Sequence, residues 1–320
     1  MEYADRGARA TKLGFGQGVL DAAEADSRVC GLGADITSSV SMDLFANRFP
    51  ERFFSLGIAE QNAMGVAAGL ALSGKLPVFS TYAVFAAHRA ADQIRLSVCY
   101  NDLHVVIGGA HAGISVGPDG ATHQALEDIS ALRALPGITI LSPSDATQAR
   151  LLTKQAILGL AGPVYIRFGR AAVPDFSSLD EVPVIGKGRI LREGTDLCLV
   201  ATGHMVWQAL KAAELLEERG VRSRVVDIHT IKPIDGDLLV GSAERCRAVV
   251  SVEEHQVTGG LGSAVAEVLS RHRPTPLLRI GVADRFGGSG HPDELLLEHG
   301  LDALSIAGKA YDFLRNNKAI

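Results

Sequence analysis

The stretch His104-Val-Val-Ile-Gly-Gly-Ala-His111-Ala-Gly113-Ile-Ser-Val-Gly117-Pro-Asp119-Gly120-Ala-Thr-His123-Gln124 decides how the chain is read. It opens as a short apolar run, residues 104–109, of the kind that forms a buried strand. Five glycines then fall within the thirteen residues from Gly108 to Gly120. That density at a strand end implies a backbone held in special conformations or approached closely by a ligand, with a solvated loop as the plain alternative. Two histidines and an aspartate inside the loop would be presented rather than packed, and histidine transfers protons well near neutral pH. In open α/β sheets ligands sit beyond the carboxyl ends of strands, so a loop of this kind points to such a sheet.

The neighbouring sequence carries the same pattern outward. Strand candidates Val29–Ala34, Val78–Thr81, His104–Gly109, Thr139–Leu141 and Val164–Arg167 alternate with helical runs Ala59–Ser73, Phe85–Val98 and Asp145–Gly159. The segment Arg170–Gly188 carries Pro174, Pro183, a serine pair and few periodic apolar residues, which reads as a linker. Alternation resumes with Leu197–Ala201, helix Met205–Arg219, strands Arg224–Asp227 and Ala248–Val252, helix Leu261–Ser270 and strand Leu277–Ile280. A last helix, Leu301–Leu314, closes the chain. The expectation is an α/β fold of two tandem open-sheet domains, residues 1–172 and 188–320, joined by a linker over 173–187.

Composition agrees and excludes other classes. Of 320 residues, 47% are hydrophobic and only 5% aromatic, with 35 glycines, which suits close helix–sheet packing rather than disorder. The net charge of −5 and the absence of a basic block argue against nucleic-acid binding. The most apolar stretch, Asn62–Gly74, is shorter than the roughly 20 residues a bilayer span needs. Met1-Glu-Tyr-Ala-Asp lacks the basic start of a signal peptide, so a cytoplasmic protein is expected. The four cysteines, Cys30, Cys99, Cys198 and Cys246, lie far apart in no metal-ligand spacing and read as buried free thiols.

Two further strand ends stand out. Phe53-Phe-Ser-Leu-Gly-Ile-Ala-Glu60-Gln-Asn places Glu60 in the first turn of a small-residue helix. A carboxylate there is favoured by the helix dipole by roughly 0.3–1 kcal/mol, and that alone would explain it. Leu56, Gly57, Ile58 and Ala59 are expected to offer it little exposure, and an apolar setting raises a carboxyl pKa toward the range of proton relays. Ser80-Thr-Tyr82-Ala-Val-Phe85-Ala-Ala-His88-Arg89 runs from a strand into a helix, with Tyr82 and Phe85 three apart on one side. They read either as core aromatics or as a slot for a flat heterocycle.

Together these loops resemble the transketolase family, and the likeness covers nearly the whole chain. Gly57-Ile-Ala-Glu60-Gln-Asn is similar to the family's catalytic glutamate motif, Asp119-Gly-Ala-Thr-His123-Gln to its substrate loop, and Ser80-Thr-Tyr-Ala-Val-Phe85 to its cofactor-stacking segment. Leu141-Ser-Pro-Ser-Asp-Ala, Val252-Glu-Glu-His255 and Gly259-Gly-Leu-Gly continue it. The resemblance implies a thiamine-diphosphate pyrimidine-binding fold followed by the transketolase C-terminal domain. It implies that Glu60 hydrogen-bonds the aminopyrimidine ring nitrogen, that Tyr82 and Phe85 stack beneath that ring, and that Asp35 lies beside the cofactor. His111 and His123 then match groups that bind substrate hydroxyls or phosphate, Asp119 a hydroxyl ligand, Arg167 an arginine near the phosphate, and Ser39 a serine beside it. Lys12 stands where an arginine is usual, and lysine binds phosphate as a point charge without the fork. Tyr82 replaces a common phenylalanine and His88 a usual aromatic, both expected to adjust the pyrimidine pocket.

The family's Gly-Asp-Gly motif, which with a later Asn holds magnesium and the diphosphate, does not occur in this sequence. The expectation is therefore the C-terminal subunit of a split transketolase with no metal ligand of its own. It moves a two-carbon ketol unit between sugar phosphates in an α2β2 complex with an N-terminal subunit that holds the diphosphate and Mg²⁺. Within the superfamily the rivals are a 2-oxo-acid dehydrogenase β subunit and a 1-deoxyxylulose-phosphate-synthase-like enzyme; the two loop histidines favour sugar chemistry. A nicotinamide enzyme would rest on Gly14-Phe-Gly16-Gln-Gly18, whose third glycine comes one residue early with no strand before it. A non-catalytic subunit would have been marked by loss of Glu60 or the histidines. Glu253, Glu254 and His255 are read as helix capping and interface packing.

Overall fold

The structure, a computed structural model, describes residues 7–317. The Met1-Glu-Tyr-Ala-Asp start, read above for targeting signals, lies outside the described residues. The first half runs β1 (Ala8–Ala10), α1 (Thr11–Ala25), β2 (Val29–Gly33), α2 (Asp43–Arg48), β3 (Phe53–Ser55), α3 (Glu60–Leu72) and β4 (Leu76–Tyr82). A helical stretch follows in which α4 (Ala91–Gln93) is flanked by the π-helical turns Phe85–Arg89 and Ile94–Cys99. Then come β5 (Val106–Ala110), a 3-10 turn over Ile114–Asp119, α5 (Asp128–Arg133), β6 (Thr139–Leu141), α6 (Ala146–Gly159), β7 (Val164–Arg167) and β8 (Ala172–Pro174).

The second half contains β9 (Arg189–Arg192), β10 (Leu197–Ala201), α7 (Met205–Glu217), β11 (Ser223–Asp227), β12 (Thr230–Lys232) and α8 (Gly236–Arg245). It ends with β13 (Ala248–Gln256), α9 (Leu261–His272), β14 (Leu277–Val282), α10 (Pro292–His299) and α11 (Ala303–Asn316). The two tandem α/β domains expected from the alternation are present. Their sheets have the orders β12-β6-β7-β5-β4-β2-β3 and β14-β13-β10-β11-β9. All pairings are parallel except those of β12 and β9, which lie antiparallel at one edge of each sheet.

Two details differ from the reading by pattern. β12 belongs by sequence to the second half, yet it pairs with β6 and completes the first sheet. The presumed linker is also not a loose tether. Its β8 pairs with β1, and the buried Asp175 accepts bonds from Thr147 N at 3.1 Å and from Arg9. Asp145, the N-cap of α6, accepts from the backbone of Ser177 at 2.8 Å. The segment is therefore pinned to the first domain by buried carboxylates whose partners satisfy them.

The glycine run in α1 acts in packing. A Cβ at Gly14 would overlap the Ala146 carbonyl of α6, and one at Gly18 would come 2.5 Å from the Arg150 carbonyl. The two helices thus touch backbone to backbone, and the stripe is no dinucleotide loop. Phe15 stacks on Phe168 at 4.4 Å beside that seam. All four cysteines are free and buried. Among the described residues no helix is long and apolar enough to cross a membrane.

Candidate active site

Because β2, β3, β4, β5 and β7 are parallel and in register (Gly33 opposite Ser80, Ser80 opposite Gly108, Gly109 opposite Arg167), their carboxyl ends lie on one edge. The residues that follow them are Asp35, Glu60, Tyr82, His111 and the Arg167–Arg170 turn, which share the edge where α/β sheets bind ligands. Glu60 opens α3 and is 2% exposed. The segment before it is not the shield expected from its apolar side chains, since Ile58 is 73% exposed. Nor is the carboxylate left among apolar neighbours alone: Arg89 Nη1 donates to Glu60 Oε2 at 2.8 Å. Arg89 reaches it from the π-helical turn that carries Phe85, with its guanidinium carbon 4.2 Å from the Phe85 ring centre.

Beyond this pair the aromatics gather. Tyr82 lies 5.9 Å from Phe85 and 4.3 Å from His111 between ring centres. His123 meets Tyr82 and Phe85 edge-on at 5.8 and 5.5 Å. The four rings form one wall, tied to Glu60 through Arg89, with Tyr82, Phe85 and His123 half-buried, so the aromatics are not simply core.

The glycine-rich loop is not solvated either; residues 111–117 are buried. Gly109 is tight because a Cβ would overlap the Tyr165 hydroxyl, and Gly113 takes a φ of +87°. Presentation holds for Asp119 and in part for His123. His111 is packed instead, 3% exposed, with a φ of +55° and an Nδ1 that has no hydrogen-bond partner. Burial first, then the nearby Lys12, Arg170 and His123, push the His111 pKa down to about 4, against Asp119, which acts upward. The imidazole is accordingly neutral near pH 7.

The remaining predicted residues divide. Lys12 and Ser39 come together, Lys12 Nζ donating to the Ser39 carbonyl at 3.1 Å. Asp35 is exposed at the end of β2 with a φ of +72°, a left-handed conformation that costs a non-glycine residue energy and tends to mark functional sites. His88 lies 3.6 Å from Glu127 Oε2, and its bond to that carboxylate raises its pKa.

Arg167 is 6% exposed, its Nε 2.9 Å from Asp128 Oδ2 and its Nη2 on the Ala125 and Glu254 carbonyls at 3.1 and 2.8 Å. Tyr165 donates to the same Asp128 at 2.8 Å. This geometry makes Arg167 an internal strut and does not support it as a phosphate ligand. The arginine that faces the loop is Arg170, whose Nη1 bonds Asp119 Oδ1 at 2.9 Å and the Val116 carbonyl at 3.0 Å. Sequence reasoning passed over it because it opens the proline-bearing linker. Its position three residues past Arg167, beyond the end of β7, was the available signal.

Among the described residues, no group of three or more His, Cys, Asp or Glu side chains is placed to hold a metal ion. Glu253 fills the start of α9, which follows Gly259-Gly260. It accepts from Leu261 N and Gly262 N at 2.6 and 2.8 Å, as capping was expected to do.

Comparison with known proteins matches this arrangement to a class. Residues 8–175 match the transketolase pyrimidine-binding domain and residues 186–306 the transketolase C-terminal domain, so the chain belongs to the transketolase family. It is 42% identical over 294 residues to a 6-deoxy-6-sulfo-D-fructose transketolase subunit of Clostridium sp., covering 92% of this chain and 91% of that one. It is also 42% identical over 308 residues to a 1-deoxy-D-xylulose-5-phosphate synthase of Chlorobium luteolum, covering 94% of this chain but 48% of that enzyme. Among solved structures, a split-gene transketolase described as an inactive β4 tetramer superposes with a TM-score of 0.89 at 47% identity, over 96% of this chain and 98% of that one.

Proposed function

We propose that the chain is the C-terminal subunit of a thiamine-diphosphate-dependent split transketolase that moves a two-carbon ketol unit between phosphosugars. The observation that carries this reading is the buried Glu60 carboxylate set beside the Tyr82–Phe85–His111–His123 wall at the sheet's carboxyl edge. A buried carboxylate next to a face of rings fits the aminopyrimidine half of the cofactor, with Glu60 on a ring nitrogen and Phe85 and Tyr82 under the ring. Asp35 and His88 would complete the cofactor-binding set in this reading. Thiamine diphosphate, when bound, supplies the nucleophilic carbon needed to break and remake a carbon–carbon bond beside a carbonyl.

Glu60 would hold a proton at a ring nitrogen of the bound cofactor, with Arg89 fixing the carboxylate's direction. His111, neutral and with a free Nδ1, and His123 exchange protons with a sugar hydroxyl or carbonyl. Asp119 orients a hydroxyl, while Lys12 with Ser39, and Arg170 from the other side, meet the phosphate end. In this reading the diphosphate and Mg²⁺ are held by an N-terminal partner subunit in an α2β2 assembly. A cytoplasmic location accords with four buried free thiols.

The test is affinity capture of the tagged chain from its native extract, then assay of the recovered complex with ketose phosphates, thiamine diphosphate and Mg²⁺. Recovery of a Gly-Asp-Gly-bearing partner, and ketol transfer that Glu60→Ala abolishes without dissolving the complex, are the expected results. Equal turnover in Glu60→Ala would overturn the catalytic assignment. The match to the synthase favours a second reading, which turnover of a 2-oxo acid donor and none of ketose phosphates would establish.

A further inference from the structure

The end of β13 carries three consecutive buried residues with different destinations. Glu253 caps α9, and His255 Nε2 accepts from Ser130 N at 3.4 Å. Glu254 alone reaches into the glycine-rich loop. Its Oε1 accepts the Ser115 N–H at 2.5 Å, and its carbonyl accepts from Arg167 Nη2 at 2.8 Å. Gly113 lies directly on this carboxylate, and any Cβ there would overlap it.

On the far side His204 Nδ1 stands 4.0 Å from Glu254 Oε2, while His204 Nε2 pairs with Thr11 Oγ1 at 3.1 Å, one residue before Lys12. Glu254, His204 and Ser115 border a cavity of about 210 Å³ between the domains. The loop contacts of Glu254, Gly113 and Ser115, lie within four residues of His111, and His204 links it to Thr11, the residue before Lys12. His111, four residues before Ser115, holds a left-handed backbone (φ +55°), and such strain persists only where surroundings over-determine it. A charge-assisted bond from a buried carboxylate to a loop amide is a strong restraint of that kind.

We propose that Glu254 is a positioning residue: from the second domain it fixes the loop over residues 113–120, and with it the placement of His111 and Asp119. The kinetic part of this inference rests on the transketolase reading; the structural part does not. Substitutions are made in the full chain assembled with its captured partner. Hydrogen exchange of peptides covering 111–124 is read beside kcat and KM for a ketose phosphate.

Glu254→Ala removes the acceptor and should speed exchange in that loop and raise KM roughly tenfold or more, since small misplacements far from the chemistry carry large rate penalties. Glu254→Gln retains an oxygen acceptor and should restore both to within about threefold of the parent. Glu253→Gln weakens the α9 cap and should leave loop exchange unchanged. If Glu254→Ala does not fold, Glu254→Asp, which draws the carboxylate back from Ser115 N, must give the same pair of changes to a smaller degree. Unchanged exchange in Glu254→Ala, or equal loosening by Glu253→Gln, would overturn the inference. A parent complex without ketol transfer, but with the exchange pattern intact, would fail the functional reading and leave the positioning role standing.

Discussion

Arg89 joins the two halves of the candidate cofactor slot, bonding Glu60 Oε2 at 2.8 Å while its guanidinium lies 4.2 Å from the Phe85 ring centre. It therefore holds both the group that would meet the ring edge and the ring that would lie under its face. Arg89→Ala should weaken thiamine diphosphate binding to the complex by roughly tenfold, because each contact it makes is a charge-assisted or cation–π interaction. Arg89→Lys keeps the charge without the planar fork and should recover only part. Calorimetric titration of cofactor into the captured complex checks this. Because Arg89→Ala also leaves the buried Glu60 carboxylate without its cation, a loss of about 1–3 kcal/mol of folding stability should accompany it.

Arg167 and Arg170 should separate cleanly. Arg167→Ala leaves Asp128 buried without its cation and should cost about 3–5 kcal/mol of stability, read as a lowered unfolding midpoint. Arg170→Ala should leave the midpoint nearly unchanged and raise KM for phosphorylated substrates by about ten- to a hundredfold. The reverse pattern would restore Arg167 as the phosphate ligand.

Burial pushes His204 down to about 4, from an ordinary 6.5. The unfolded chain binds this proton first, so the residue's contribution to stability is whole above pH 6.5 and is lost as the pH falls toward 4. The magnitude is on the order of 3 kcal/mol. Asp145, raised by burial to about 6, acts with opposite sign in part of that window. The informative quantity is therefore the difference between parent and His204→Gln. The gap between their unfolding midpoints should shift in favour of the variant between pH 6.5 and 4, as followed by circular dichroism.

Gly14→Val tests the seam between α1 and α6. The new side chain meets the Ala146 carbonyl, so the helices must part, at about 1–3 kcal/mol. A dinucleotide site would instead lose nicotinamide binding without loss of stability.

The regular parts of the fold were legible because they are locally determined. Thr139–Leu141, Val164–Arg167 and Leu197–Ala201 are short runs rich in β-branched or aliphatic residues with Gly, Pro or polar residues close by, and the strands match them residue for residue. Strands β8, β9 and β12 were not visible, since edge strands of three or four residues have too little pattern to read. The pairing of β12 with β6 depends on contacts some ninety residues apart in sequence. Around the candidate site, Glu60, Tyr82, Phe85 and the two histidines could be singled out because each lies at a strand end or in the segment that follows one. Arg89 and Arg170 were missed because their significance lies in which carboxylate they face. Arg167 shows the same dependence on partners: its type suggested phosphate, while in the structure its guanidinium bonds Asp128 and two carbonyls.

The strand borrowed across the chain has a consequence for modularity. A gene fragment ending within the linker would encode every group discussed at the first sheet's carboxyl edge, yet it would leave the β6 flank with unpaired amides and carbonyls. Such a bare flank recruits other chains, so the excised half should precipitate or self-associate rather than fold as a portable unit. Lys232, whose Nζ bonds the Leu135 and Arg133 carbonyls, rivets that flank shut in the intact chain. Any shuffling of this chain with its relatives should therefore keep β12 together with β6.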